Sequence, residues 1–382
     1  MSLVSIEKTR YFNVNTDTIA AAISSAVERN QYPDRLQLED IGIAGALHVD
    51  YTFDEGLQNE ASRLLQRHNP DFGILVALDP DTGRVLAMAE STRDSWSGEN
   101  LSLQSTFPAA SVSKIVTAVA ALDQGIAEVD TVIPFNGKTT SLYKKNVFNH
   151  SNNKWTRRPT LRESFAKSNN TVFGRLGAVS LGGDRLLEYF QRMGFNARYA
   201  SDFQFDNGSI EIDTADDWQV AESAAGYTRR NTLSPMHAAT LGAAAVNGGR
   251  MIAPTLVERI TGPNGIPLYV YENPAISPAM DSATAEKLKK LMTATVSRGS
   301  ARKSFHGFHK GAYADVSVGG KTGSLTGTNP RGRYDWFVGF AENGERRIAF
   351  AALCINKEKW YVKSTRLARE LLEFYFQPPA EA

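Results

Sequence analysis

The chain has 382 residues, 42% of them hydrophobic, with 42 Lys+Arg against 41 Asp+Glu and a formal net charge of +1. That length and apolar share can bury one large core plus an appendage, and the balanced charge, with no long basic run, excludes nucleic acid and acidic polymers as expected partners. One cysteine allows no disulfide within the chain, six histidines without a His-Glu-x-x-His pattern or cysteine partners give no metal site, and neither a signal peptide nor an apolar run of about 18 residues occurs.

Thr16 to Arg29 reads as one amphipathic helix, followed by a polar loop around Tyr32-Pro-Asp-Arg35. Residues 1–45 are expected to be a linker or the remnant of a pedestal domain, ahead of a main domain over 46–382. Ile74–Leu78 and Val85–Ala89 flank a Pro-Asp-Thr-Gly turn and predict a hairpin. The middle, about 108–300, reads as a mainly helical subdomain, with helices after Ser111, around 161–193 and over Pro235–Val246. A strand leads into Lys321, and Trp336–Phe340 pairs with Ile348–Leu353 through Asn343-Gly344 as a second hairpin. Arg366–Phe374 carries its apolar residues on one face and closes the chain as a helix packed on the sheet. Cys354 lies in an apolar run and is expected in the core. The predicted fold is α+β: a mainly antiparallel five-stranded sheet from about 72–90 and 314–356, flanked by helices, meeting the helical subdomain at a cleft.

Three short clusters stand in order along the chain: Ser111-Val-Ser-Lys114, Ser168-Asn-Asn170 and Lys321-Thr-Gly323. The spacing Ser-x-x-Lys also begins at Ser5, Ser141, Ser151, Ser164 and Ser300, all in polar or irregular context that suits a capping serine and a surface lysine. After Lys114, by contrast, Ile115–Leu122 is almost wholly apolar and predicts a buried helix. Three residues apart in its first turn, the Ser111 hydroxyl and the Lys114 amine share one face. Burial and the positive end of the helix dipole both disfavour the ammonium form, so Lys114 is expected to be a neutral base.

Ser168-Asn-Asn170 falls between two helical stretches, as a tight loop able to present a hydroxyl and an amide to a cleft, or as a turn and capping element. Its counterpart Ser151-Asn-Asn153 sits in the polar run Asn149–Lys154 and reads as a solvated loop. Lys321-Thr322-Gly323 ends a strand that passes through Gly319-Gly320. Such an edge can hold a peptide backbone and a terminal carboxylate, although an ordinary edge lysine has the same local pattern. A serine hydroxyl needs a base, a proton relay and donors for developing charge before it can be acylated, and these clusters supply all three.

On these motifs the chain resembles the transpeptidase domain of a penicillin-binding protein, within the serine superfamily that includes the β-lactamases. The likeness covers roughly 46–376 and extends to Leu78–Met88, Ser234–Ala239, Asn247–Gly249, Arg298–Arg302 and Asp335–Phe340. It implies that Ser111 is the acylated nucleophile and Lys114 its base. Ser168 and Asn170 relay a proton and bind substrate backbone, Lys321 and Thr322 meet the substrate carboxylate, and Gly323 leaves room for the substrate strand. The backbone N–H groups of Ser111 and Ser324 form the oxyanion hole.

The resemblance implies no cofactor. It implies peptidoglycan stem peptides as substrate, β-lactams as acylating inhibitors, cell-wall synthesis machinery as partner, and work outside the cytoplasmic membrane. An anchor helix of the full-length protein is expected to precede the Met1-Ser-Leu3 start. The same acylation site also serves D,D-carboxypeptidases and β-lactamases, for which Glu211 or Glu222 is a conceivable deacylating base. It serves β-lactam sensors too, and a catalytically dead scaffold would keep the same frame. The 153 residues between Ser168 and Lys321 exceed what compact β-lactamases allow and favour the larger transpeptidases.

Overall fold

The computed structural model describes residues 14–36, 45–93, 98–149, 151–272, 276–344 and 346–378. Five strands form the main sheet, in spatial order Ser317–Thr328, Arg331–Glu342, Arg347–Asn356, Phe72–Leu78 and Val85–Thr92, with every neighbouring pair antiparallel. Both expected hairpins and the strand through Lys321 are present. Side chains alternate across a strand, so Ile74, Val76, Ala351 and Leu353 enter the core on one face while Leu75, Ala77, Phe350 and Cys354 enter it on the other. The sheet is therefore covered twice. Helix Pro235–Ala244, buried at every residue, lies on the first face, and helices Glu55–His68 and Ser364–Tyr375 lie on the second.

The helical subdomain gathers around helix Lys114–Asp123, whose residues from Lys114 to Leu122 are all buried. Besides its helices, the interval 108–300 holds strands: Arg250–Ile252 pairs antiparallel with Ile276–Pro278, and Thr232–Leu233 with Phe107–Pro108. Val257–Thr261 and Pro267–Val270 are strands that join Arg35–Leu36 and Leu47–Tyr51 in a second, four-stranded antiparallel sheet. Leu47-His-Val-Asp-Tyr51 alternates buried and exposed positions at its start, as a strand with one covered face does. The early segment is also tied to the body. Helix Thr16–Val27 starts at a capping box between Asn15 and Thr18 and buries Ile19, Ile23 and Val27 in the main core. Gln204 N–H donates to Ser24 Oγ at 3.0 Å, and Asn100 N–H donates to Glu28 O at 2.7 Å.

Candidate active site

Ser111 lies in a 3₁₀ turn, Ala110–Ser113, that precedes the α-helix starting at Lys114. The expected first α-turn is replaced because Ala110 takes the left-handed conformation, with φ 48°. A 3₁₀ turn eclipses residues three apart, which sets Lys114 Nζ 2.9 Å from Ser111 Oγ. The amine also donates to Asn170 Oδ1 at 2.7 Å and to Ala225 O. Lys114 has no exposed surface. Burial pushes its amine well below the ordinary lysine value, and the charge of Lys321 pushes it further the same way. A neutral amine has two N–H groups and one lone pair. In that form the carbonyl oxygens of Asn170 and Ala225 would take both N–H groups and leave the lone pair for the Ser111 hydroxyl.

The second cluster is held as tightly. Ser168 has φ 55°, and Asn169 caps the helix that begins at Asn170 through Oδ1, accepting from Val172 N–H at 3.2 Å. Asn170 Nδ2 donates to Thr140 O at 2.9 Å and Asn170 N–H to Thr139 O at 2.8 Å. Those bonds fix the amide so that its oxygen faces Lys114. Lys321, also without exposed surface, donates from Nζ to Ser168 Oγ at 2.9 Å and to Thr322 O at 2.8 Å. Burial brings its amine down to about 7. Two serine–lysine pairs thus lie close enough for the charge of Lys321 to act on Lys114. Because the Lys321 amine is already engaged with Ser168, the hydroxyl group available at the strand edge is that of Thr322, which shares a 2.6 Å bond with Ser300 Oγ.

Gly323 is buried against the protein itself. A Cβ there would meet Val112 Cγ2 at 3.2 Å and Trp336 Cβ at 3.3 Å, so the glycine lets the strand approach the serine turn closely. Trp336 Nε1 donates to Pro108 O at 3.0 Å and ties the same strand pair to the chain just before Ser111. Ser324 is exposed one residue further along the edge.

Several contributors were not singled out from sequence as site residues. Ala225 O and Gly226 back the Ser111 turn, and Phe165 and Phe173 present ring faces 5.6 Å from Lys321 Nζ and 5.8 Å from Lys114 Nζ. Ser300, set aside with the other Ser-x-x-Lys matches, reaches the site through Thr322. Its place in Arg298–Arg302 was the available signal. Ser151 is exposed, while Ser5 and His150 lie outside the described residues. Glu222 is paired with Arg230 at 3.1 Å, and Glu211 is exposed.

A hydroxyl 2.9 Å from a buried amine of lowered proton affinity, a second serine–lysine pair and a strand edge define a serine acyl-transfer site at the junction of a sheet and a helical subdomain. The chain belongs to the family described as the penicillin binding protein transpeptidase domain, which matches residues 73–373. It is 27% identical over 354 residues to the peptidoglycan D,D-transpeptidase PbpA of Mycobacterium tuberculosis, covering 81% of this chain and 67% of that protein. It is 24% identical over 307 residues to stage V sporulation protein D of Bacillus subtilis, covering 74% and 44%. The D,D-transpeptidase domain of a peptidoglycan glycosyltransferase from Eggerthella lenta shares the fold, with a TM-score of 0.72 at 22% identity over 95% of this chain and 91% of that one.

Proposed function

We propose that the protein is a serine peptidoglycan D,D-transpeptidase that acylates itself on Ser111 and passes the acyl group to an amine of a neighbouring stem peptide. The observation that carries this reading is the fully buried Lys114 amine, 2.9 Å from the Ser111 hydroxyl and with its proton affinity lowered by burial, which suits it to act as a base. Lys114 takes the hydroxyl proton as Ser111 Oγ attacks the carbonyl carbon of the penultimate D-alanine. The oxyanion is received by the backbone N–H groups of Ser111 and Ser324. As the C–N bond breaks, the terminal D-alanine leaves with a proton delivered through Ser168, which Lys321 holds in place. An acceptor amine then attacks the ester carbonyl, its proton returns by the same relay, and Ser111 is released.

Asn170 holds the donor backbone, Gly323 keeps the strand close to the serine, and Thr322 with Ser300 receives the terminal carboxylate in the field of Lys321. β-Lactams, which imitate the terminal dipeptide, acylate the same serine. The substrate places the site outside the cytoplasmic membrane, reached through an anchor helix and in company with cell-wall synthesis machinery. Transfer is favoured over hydrolysis because no carboxylate among the described residues hydrogen-bonds to Ser111, and Glu222 is committed to Arg230. Incubation with a D-Ala–D-Ala donor, with and without an amine acceptor, tests the reading. A cross-linked product that forms at the expense of hydrolysis supports it; D-alanine release that ignores the acceptor identifies a carboxypeptidase.

A further inference from the structure

We propose that Arg229 is a specificity residue for the donor peptide, binding a free carboxylate carried one or two residues before the acylated residue. This rests on the transpeptidase reading above.

Strand Ser317–Thr328 is an edge of the sheet, paired on one side only, with Arg331–Glu342. Lys321 Nζ donates to Thr322 O, and Arg229 Nε donates at 2.6 Å to Thr326 O. Thr322 O is reached by the Lys321 side chain of the same strand and Thr326 O by Arg229 from beyond the ladder, and residues 322, 324 and 326 turn their backbone groups to the free edge, as the two-residue period of a strand requires. A donor peptide pairing antiparallel there puts its terminal carboxylate at Thr322 and its acylated carbonyl at Ser324. Its upstream residues then run toward Thr326. The Thr326 carbonyl they approach already accepts from Arg229 Nε–H. Past Ser324, the side-chain group the donor meets at Thr326 is a guanidinium.

That guanidinium has capacity to spare. Of its five N–H donors, only the Nε–H has a partner among the described residues; Arg229 is exposed and forms no ion pair among them. Beside it opens a pocket of about 460 Å³ lined by Glu222, Tyr227, Thr228, Arg229, Arg230 and Leu325. Glu222 and Arg230 neutralise each other at 3.1 Å, so the uncompensated charge in the pocket is that of Arg229. Tyr227, 44% exposed, and Leu325 give it apolar walls. Across the ladder from Thr326, Arg333 adds a second exposed cation whose Nε donates to Ser324 Oγ at 3.3 Å. A side chain with an aliphatic stem and a carboxylate tip matches an apolar wall that ends in an unpaired arginine.

The test compares kcat/KM for D-alanine release from three donors that differ only upstream: a free carboxylate on the first residue, a free carboxylate on the second, and both amidated. The expected result is a loss of about tenfold on amidation, carried mainly by KM, with the more sensitive position naming the bound group. Arg229→Gln is expected to erase the preference and Arg229→Lys to restore part of it. Equal rates for acid and amide donors on the unaltered protein overturn the assignment, whether or not the glutamine variant folds. So does a preference that survives in Arg229→Gln. Labelling of the unaltered protein by a fluorescent penicillin separates the two levels: no labelling overturns the transpeptidase reading and this inference together, whereas labelling without discrimination between donors overturns the Arg229 assignment alone.

Discussion

Gly226→Ala is the most searching perturbation of the site that leaves every named catalytic side chain in place. Gly226 has φ +61°, and a Cβ there would lie 1.7 Å from Ala110 O, 2.4 Å from Ala110 C and 3.0 Å from Ser111 N. All three are backbone atoms of the turn that carries the nucleophile, so no side-chain rotation can relieve the clash. The turn has to retreat by more than about 1 Å to reach ordinary contact. An alanine held in the left-handed region costs about 1–2 kcal/mol, and overpacking adds about 1–3 kcal/mol. At about 2.1 cal/mol/K per residue the unfolding entropy of the chain is about 0.8 kcal/mol/K, which converts the total into a Tm loss of roughly 3–6 °C. The kinetic loss is larger, because a misplacement of about 1 Å costs about a hundredfold. The assay is the second-order rate of acylation by a fluorescent penicillin beside a thermal melt. Gly125→Ala serves as control, since Gly125 also has a left-handed φ, +63°, but has nothing within 4 Å. It is expected to lose a little stability and to acylate normally. A Gly226→Ala protein that acylates within about threefold of the unaltered rate refutes the claim that the Ser111–Lys114 geometry depends on this backing.

The pH dependence of kcat/KM for peptide donors is expected to be bell-shaped. On the acid side Lys114, lowered by burial and by Lys321, takes up a proton and can no longer accept one from Ser111; on the alkaline side Lys321, at about 7, loses the charge that draws the substrate carboxylate. A flat profile across about pH 6 to 9 counts against both assignments. Thr322→Val keeps the shape and removes the hydroxyl, and is expected to raise KM for carboxylate-bearing donors about tenfold, with Ser300→Ala raising it less. An unchanged KM in both moves carboxylate recognition elsewhere. Ser168→Ala leaves Lys321 without its hydroxyl partner and is expected to slow D-alanine release by about 10²-fold or more; a release rate near that of the unaltered protein removes Ser168 from the relay.

The sheet was legible because strands such as Phe72–Leu78 and Arg347–Asn356 are short apolar runs bounded by turn residues, and hairpins are local. The second sheet was not, because Leu47–Tyr51 and Val257–Thr261 are separated by about two hundred residues and no local pattern announces their pairing. Within the site, Ser111, Lys114, Ser168, Asn170 and Lys321 carry recognisable spacing, and the structure brings these side chains together. What the spacing could not show is the direction of each bond. The contact of Lys321 with Ser168, the carbonyl of Ala225 at Lys114 and the capping of Thr326 by Arg229 all join residues far apart in the chain. Gly226 is a single glycine whose φ and neighbours appear only after folding.

The central claim is that the Ser111 hydroxyl is the group that becomes acylated. Intact mass measurement after exposure to a penicillin, followed by peptide mapping, addresses it most directly. One adduct per chain, located on the peptide that contains Ser111 and absent from Ser111→Ala, is the predicted result. An adduct on Ser168 or Ser300, or full labelling of the Ser111→Ala protein, contradicts it.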